Sequence, residues 1–227
     1  MQRLLDIIFS SFALIILFPI MLIVSIFLRV TGEGEVFYLQ ERVGKDMRIF
    51  KLYKFATMLK DSENIGSGTV TVKNDPRVLP LGKFLRSTKI NELPQLINIF
   101  IGDMSVIGPR PQTRRCFNAF PDAFKDIIAS VKPGLSGIGS IIFRAEEDLL
   151  ESDIGTNINF YDDVISPYKA EIESWYIPNR NIKTYFLLIF LTIWIVIFSR
   201  SNIVWHLIKD IPVPPEALQS KLKFSSK

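Results

Sequence analysis

A single histidine, His206, and a single cysteine, Cys116, in 227 residues remove most familiar catalytic chemistry from consideration. One cysteine excludes an intrachain disulfide and any cysteine-rich metal site. One histidine excludes a His-based zinc centre and Ser-His or Cys-His catalysis within one chain. The chain also lacks internal repeats and low-complexity tracts. Nor is its charge strongly one-sided: 27 Lys and Arg stand against 23 Asp and Glu, a net +4. That excess suits lipid headgroups, phosphorylated substrates or nucleic acid alike. No recognition-helix motif, zinc-ligand set or aromatic-basic platform accompanies it, so nucleic acid is not an expected partner. Any reaction must run on carboxylates, lysines, arginines and a recruited ion.

Hydrophobic residues make up 48% of the chain and concentrate at its two ends. From Ile7 to Leu28 no charged residue occurs. As a helix this run reaches roughly 33 Å at about 1.5 Å per residue, enough for a hydrocarbon core of about 30 Å. No small-residue cleavage site follows Leu28, so Arg29 to Gly32 read as the polar end of a retained anchor. Pro19 sits mid-run and removes one backbone hydrogen bond, at about 3 kcal/mol in a regular helix. Two forms follow: a kinked spanning helix, or a helix-break-helix that enters and leaves by one face. Arg29, Arg42, Lys45, Arg48, Lys51 and Lys54 place the main domain in the cytoplasm. Arg3, ahead of the run, fits a geometry with both ends inside. The second run, Tyr185 to Phe198, is short for a span and reads as an interfacial or a core helix. Trp175, Tyr176, Trp194 and Trp205 around it suit a headgroup boundary. The tail after Pro215 is expected to fray.

Between the ends, Val36 to Gln40 and Ile49 to Met58 are strand-like, with Gly44 as a turn. Residues 66–72 read as a loop and a short strand, and Asn74 to Arg77 as a turn. Leu93, Leu96, Ile97 and Phe100 repeat at helical spacing, so the spacing predicts an amphipathic helix over 91–100. Asn91 suits its N-cap, Glu92 its positive dipole end, and Pro94 its first turn. Free amides at such a start make a phosphate seat, although plain capping explains the same residues. In GPRP (108–111), two prolines stiffen the backbone around Arg110, whose guanidinium can bind two phosphate oxygens. Arg114 and Arg115 follow it. An ordinary rigid surface turn is the alternative.

Six motifs in order are QERVG (40–44), FKLYKFATM (50–58), NDPRV (74–78), GKFLRSTKINELPQL (82–96), GDMSVIGPRP (102–111) and KPGLSGIG (132–139). Together they resemble the bacterial sugar transferase family, the monotopic phosphoglycosyl transferases, over roughly residues 1 to 200. The resemblance implies an α+β fold, mostly helical with a few short strands. It also implies a re-entrant N-terminal helix-break-helix over 1–30, a cytoplasmic catalytic domain over 31–180, and membrane-interface amphipathic helices and a tail over 181–227. The implied activity moves a sugar 1-phosphate from a UDP-sugar to undecaprenyl phosphate, releasing UMP, to begin surface glycan assembly. The implied place is the cytoplasmic face of a bacterial inner membrane, with the lipid bilayer itself as a partner. Self-association is left open.

In that family an Asp-Glu pair supplies a nucleophile and a Mg²⁺ ligand. Here Asn91 stands at the Asp position and Glu92 is retained. Glu92 could attack, or hold Mg²⁺ while the polyprenyl phosphate attacks directly; a catalytically inactive chain that binds or scaffolds is the third option. By the same resemblance Lys54 joins Asn91 and Glu92 as catalytic. Arg110 and Pro111 form the nucleotide-binding loop. Arg77, Arg114 and Glu173 are assigned to substrate binding.

Overall fold

The computed structural model describes residues 1–66, 71, 75–144, 146–149, 159–198 and 201–224. Most of the strand expected over 66–72 therefore lies outside the described residues.

The apolar N-terminal run forms one helix, α1 (Gln2–Thr31). Its inward stripe is Arg3, Asp6, Ser10, Leu14, Leu17, Met21, Val24 and Leu28, spaced three or four apart. Met21 and Leu28 pack with Phe55 and Leu85, while Ala13, Leu14 and Leu17 cover Leu52, Leu96 and Ile99. The other faces expose Ile8, Phe12, Ile15, Phe18, Ile23 and Phe27. The expected break does not interrupt the helix. Pro19 forfeits one hydrogen bond, but the turns on either side keep theirs and the chain remains helical through it.

Alternation produces an antiparallel hairpin, β1 (Phe37–Val43) with β2 (Ile49–Phe55), in which Tyr38 opposes Lys54 and Gln40 opposes Leu52. Because side chains alternate, Tyr38, Gln40, Arg42, Leu52 and Lys54 share the inward face. A short helix, α2 (Pro80–Ser87), leads to a 3₁₀ turn over Ile90–Glu92 and then to α3 (Gln95–Ile101), closed by Gly102 at φ 102°. Asn98 fixes α3 to the hairpin: its Oδ1 accepts from Tyr53 N–H at 3.0 Å and its Nδ2 donates to the Lys51 carbonyl at 2.8 Å.

Strand β3 (Ser105–Ile107) pairs in parallel with β4 (Gly134–Ser136), so the KPGLSG segment is partly strand. At Gly134 a Cβ would lie 2.1 Å from the Gly108 nitrogen, so only glycine permits this approach. Between the strands run α4 (Arg114–Asn118) and α5 (Asp122–Ala129). After them come α6 (Ile138–Ile142), α7 (Glu146–Leu149), α8 (Ser166–Tyr176) and α9 (Ile182–Ile197). The α9 helix packs one face on the core, as the core reading expected, and leaves the other exposed. Tyr185, Leu188, Leu191 and Ile195 join the core, while Phe186, Phe190, Ile193 and Ile197 face outward. The tail is docked rather than frayed as far as Phe224: Leu218 is fully buried and the Trp205 indole donates to the Leu222 carbonyl. The described residues are thus mostly helical with four short strands, the α+β class expected.

Candidate functional site

A cavity of about 810 Å³ opens between the hairpin, the Ile90–Glu92 turn, the Arg110 loop and helices α6 and α8. Arg42 and Lys54 enter it from the inward hairpin face, Arg86 from the end of α2, and Lys89, Asn91 and Glu92 from the turn; Arg110 and Arg144 complete the polar wall. Glu92 Oε1 meets Arg110 Nη2 at 3.1 Å. The backbone of the Arg110 loop is held on several sides. Its N–H donates to Glu173 Oε1 at 3.0 Å and its carbonyl accepts from Gln112 Nε2 at 3.2 Å. The Pro111 carbonyl accepts from Arg42 Nη1 at 3.0 Å.

Charge crowding shifts these groups in opposite directions. Burial alone would raise the Glu92 carboxyl, but Arg110, Lys54 and Lys89 outweigh it and hold it at about 2. Burial, reinforced by neighbouring Arg42, lowers Lys54 well below the ordinary lysine value. Glu173 lies behind the loop, where burial raises it to about 7 despite the Arg110 N–H it accepts. Gly139 makes room for that carboxylate, since a Cβ there would come within 2.2 Å of Glu173 Oε1. The arrangement can take up a dianionic phosphate group and keep one carboxylate ionised beside it.

Of the residues singled out in the sequence, Lys54, Asn91, Glu92 and Arg110 converge on the cavity. Pro111 and Glu173 stand behind Arg110 and fix its backbone without lining the cavity. Arg77 and Arg114 do not reach it, which corrects their assignment to substrate binding. Arg77 is buried and its guanidinium is committed to Asp75 and to the Ser62 and Ile65 carbonyls. Arg114 opens α4, where Thr113 caps Cys116 N–H and turns Cys116 inward, leaving Arg114 exposed. Asn91 also departs from expectation. Lys89 at φ 61° turns the chain into the 3₁₀ turn, so Asn91 already lies inside a helical turn and cannot cap α3. Pro94 takes the N-cap position, and Asn91 Oδ1 is buried in the cavity wall with no hydrogen-bond partner among the described residues.

Sequence reading missed Arg42, Lys89, Glu146 and Lys169. The period-2 alternation shared by Arg42 and Lys54 was the one available signal, because it places both on one hairpin face. Among the described residues no three His, Cys, Asp or Glu side chains converge, so the protein forms no complete metal cage there. Two successive residues with side-chain oxygen donors, Asn91 and Glu92, both line the cavity.

Comparison with known proteins gives a match to the family model described as bacterial sugar transferase over residues 1–199. Among curated relatives, a UDP-glucose:undecaprenyl-phosphate glucose-1-phosphate transferase of Klebsiella pneumoniae is 40% identical over 153 residues, covering 66% of this chain and 33% of its own. A UDP-N-acetylgalactosamine-undecaprenyl-phosphate N-acetylgalactosaminephosphotransferase of Aeromonas hydrophila is 35% identical over 70% of this chain and 38% of its own. The exopolysaccharide production protein ExoY of Rhizobium meliloti is 28% identical over 88% of this chain and 87% of its own. The chain therefore spans about a third of the first relative's length, 38% of the second's and most of the third's.

Proposed function

The chain belongs to the bacterial sugar transferase family, and from that premise we propose that it transfers a sugar 1-phosphate from a UDP-sugar to undecaprenyl phosphate, releasing UMP. The observation that carries this reading is the mixed lining of the cavity. Arg42, Lys54, Arg86, Lys89, Arg110 and Arg144 line it together with Glu92, and so do the apolar Ala13 and Leu17 of α1 and Ile189, Ile193 and Val196 of α9. The basic residues suit a diphosphate. The apolar ones suit a prenyl chain that carries its own phosphate. The relatives' names point to the same two substrates, and nothing in the site favours a non-catalytic binding protein.

The reaction breaks the bond between the β-phosphorus and the bridging oxygen, which leaves with UMP. A bond forms between the β-phosphorus and an incoming oxygen. A carboxylate held at about 2 and paired with Arg110 is a weak nucleophile. The attacking oxygen is therefore assigned to the carrier phosphate, with Glu92 fixing Arg110 and Lys54 around the diphosphate. Burial lowers Lys54, and a bound phosphate would favour its charged form. Glu92 and Asn91 Oδ1, which has no partner among the described residues, would hold a Mg²⁺ ion, and such an ion would supply charge neutralisation for the leaving UMP.

Placement in the membrane follows from α1. Near its start, Arg3 donates to the Ile99 and Phe100 carbonyls, and Asp6 accepts from Ser105 Oγ, Val106 N–H and Tyr185 OH. Near its end, Leu28 is buried against Phe55 and Leu85. A spanning helix would carry one end about 30 Å away from the body that holds the other. Both ends are instead held by the same body, which supports α1 lying within one leaflet on the cytoplasmic side as a single helix. UMP release should be followed with a panel of UDP-sugars, undecaprenyl phosphate and Mg²⁺. Release that needs both substrates supports direct transfer. A stoichiometric burst without the carrier would instead indicate a covalent intermediate on the protein. No release with any sugar would refute the reading.

A further inference from the structure

Beyond Arg110 the cavity has a polar region that the phosphate chemistry leaves unused. Lys169, on α8, is 2% exposed, and its Nζ donates to both oxygens of Glu146 at 2.8 Å. The rings of Phe143 and Tyr161 flank the ammonium at 5.6 and 6.0 Å. A buried lysine needs such a partner, and charge pairing would by itself explain an enclosed carboxylate. Glu146 is not enclosed: its side chain is 24% exposed and lines the cavity. A carboxylate offers about four lone-pair positions. Lys169 engages one on each oxygen, so two parallel acceptors remain. Ser140 lines the same cavity, and its Oγ is buried with no partner among the described residues.

Resting on the reading that this cavity takes a nucleotide sugar, we propose that Glu146, held in place by Lys169, forms with Ser140 a subsite that recognises neighbouring hydroxyls of the donor. Two fixed, parallel acceptors match a vicinal diol, and the serine hydroxyl can donate or accept. The Phe143 and Tyr161 rings that hold the ammonium also make the wall rigid. The location suits the chemistry: Glu146 and Ser140 line the same cavity as Arg110 and Glu92. The ribose and the hexose each bear hydroxyls one linkage from a phosphate, and both present this chemistry.

The test uses the full chain in nanodiscs, with Ser140→Ala and Glu146→Gln beside the wild type. One arm titrates UMP, which carries the ribose alone. The other measures KM and kcat across UDP-sugars that differ only in the configuration of one hydroxyl. A loss of roughly tenfold in affinity is expected, as for one hydrogen bond to a charged group. Weaker UMP binding in the variants assigns the subsite to the ribose. Unchanged UMP binding with raised KM and an altered ranking of sugars assigns it to the hexose. Either result supports the proposal. Values within twofold of wild type in both arms overturn it. Should Glu146→Gln fail to fold for want of a partner to Lys169, Ser140→Ala decides, because its Oγ bonds nothing among the described residues. A wild type that neither binds UMP nor uses any UDP-sugar overturns the proposed function itself, and this subsite with it.

Discussion

Two arginine–carboxylate pairs, Arg77 with Asp75 and Arg110 with Glu92, arise from similar proline-arginine turns and serve opposite purposes. Arg77 is 3% exposed; its Nε and Nη2 bind Asp75 and its Nη1 binds two loop carbonyls. The guanidinium is consumed in holding a loop together. Arg110 makes one contact to Glu92, and the two side chains are 30% and 15% exposed at the wall of the cavity. Arg110 lines the cavity with guanidinium donors left over from that one contact. An arginine saturated by its own protein is structural, and one with spare donors over a cavity is available for phosphate. NDPRV and GPRP alone do not tell these apart.

The comparison breaks most visibly at Arg77. Arg77→Ala leaves the Asp75 carboxylate buried without its cation, and stability is expected to fall by about 3–5 kcal/mol. Chemical denaturation would register it, while the folded fraction keeps its KM. An unchanged unfolding midpoint would remove the structural role. Next comes Glu173, which holds the Arg110 loop through a backbone N–H. Its folded value of about 7 lies above the reference 4.5, so the folded state retains the proton longer. The associated stability is complete below about 4.5 and is lost as pH rises through about 7. The whole effect is about 3 kcal/mol. Glu173→Gln keeps an acceptor and discards the charge, so the variant should be flat over that window and more stable than wild type at pH 8. Persistence of the wild-type slope would assign it to another group. Arg110→Ala is expected to lower kcat/KM for the UDP-sugar by roughly 10- to 100-fold, the equivalent of about 1.5–3 kcal/mol for a charged hydrogen bond. Stability should change by only about 0–1 kcal/mol, because the Arg110–Glu92 pair is partly exposed. A loss of folding in place of activity would make Arg110 a second Arg77.

Much of this frame was legible in the sequence. The two strands declared themselves by their β-branched and aromatic runs on either side of Gly44, and α3 by its Leu93, Leu96, Ile97 and Phe100 spacing. The four residues that meet in the cavity, Lys54, Asn91, Glu92 and Arg110, came from motif order. What failed has specific physical causes. Capping depends on backbone conformation, and only the structure shows that Lys89 has already turned the chain before Asn91. The Lys169–Glu146 pair spans 23 residues and depends on how α8 folds back. The inward stripe of α1 has helical periodicity, but its other faces are equally apolar, so composition registers no contrast. Asp6 and Arg3 were the visible signal, since a carboxylate leading an apolar run needs partners, and it found Ser105, Val106 and Tyr185.

That stripe sets the smallest expected effect. If the bend at Pro19 kept α1 in one leaflet, Pro19→Ala would free the helix to cross the bilayer. In the structure the helix is already continuous through Pro19, and its two ends are held by contacts far from that residue: the Arg3 and Asp6 bonds at one end and Leu28 in the core at the other. Pro19→Ala restores one backbone hydrogen bond and leaves those anchors untouched, so topology is expected to stay as it is. A Gln2→Cys label, probed from the outer face of the membrane, should remain protected with or without the proline. Cys116 is buried and should not compete for the reagent. Labelling in the Pro19→Ala background would make the proline the determinant of topology and the docking contacts its consequence. Labelling only when Asp6→Leu is added would show the reverse, that the polar anchors hold the helix against the body.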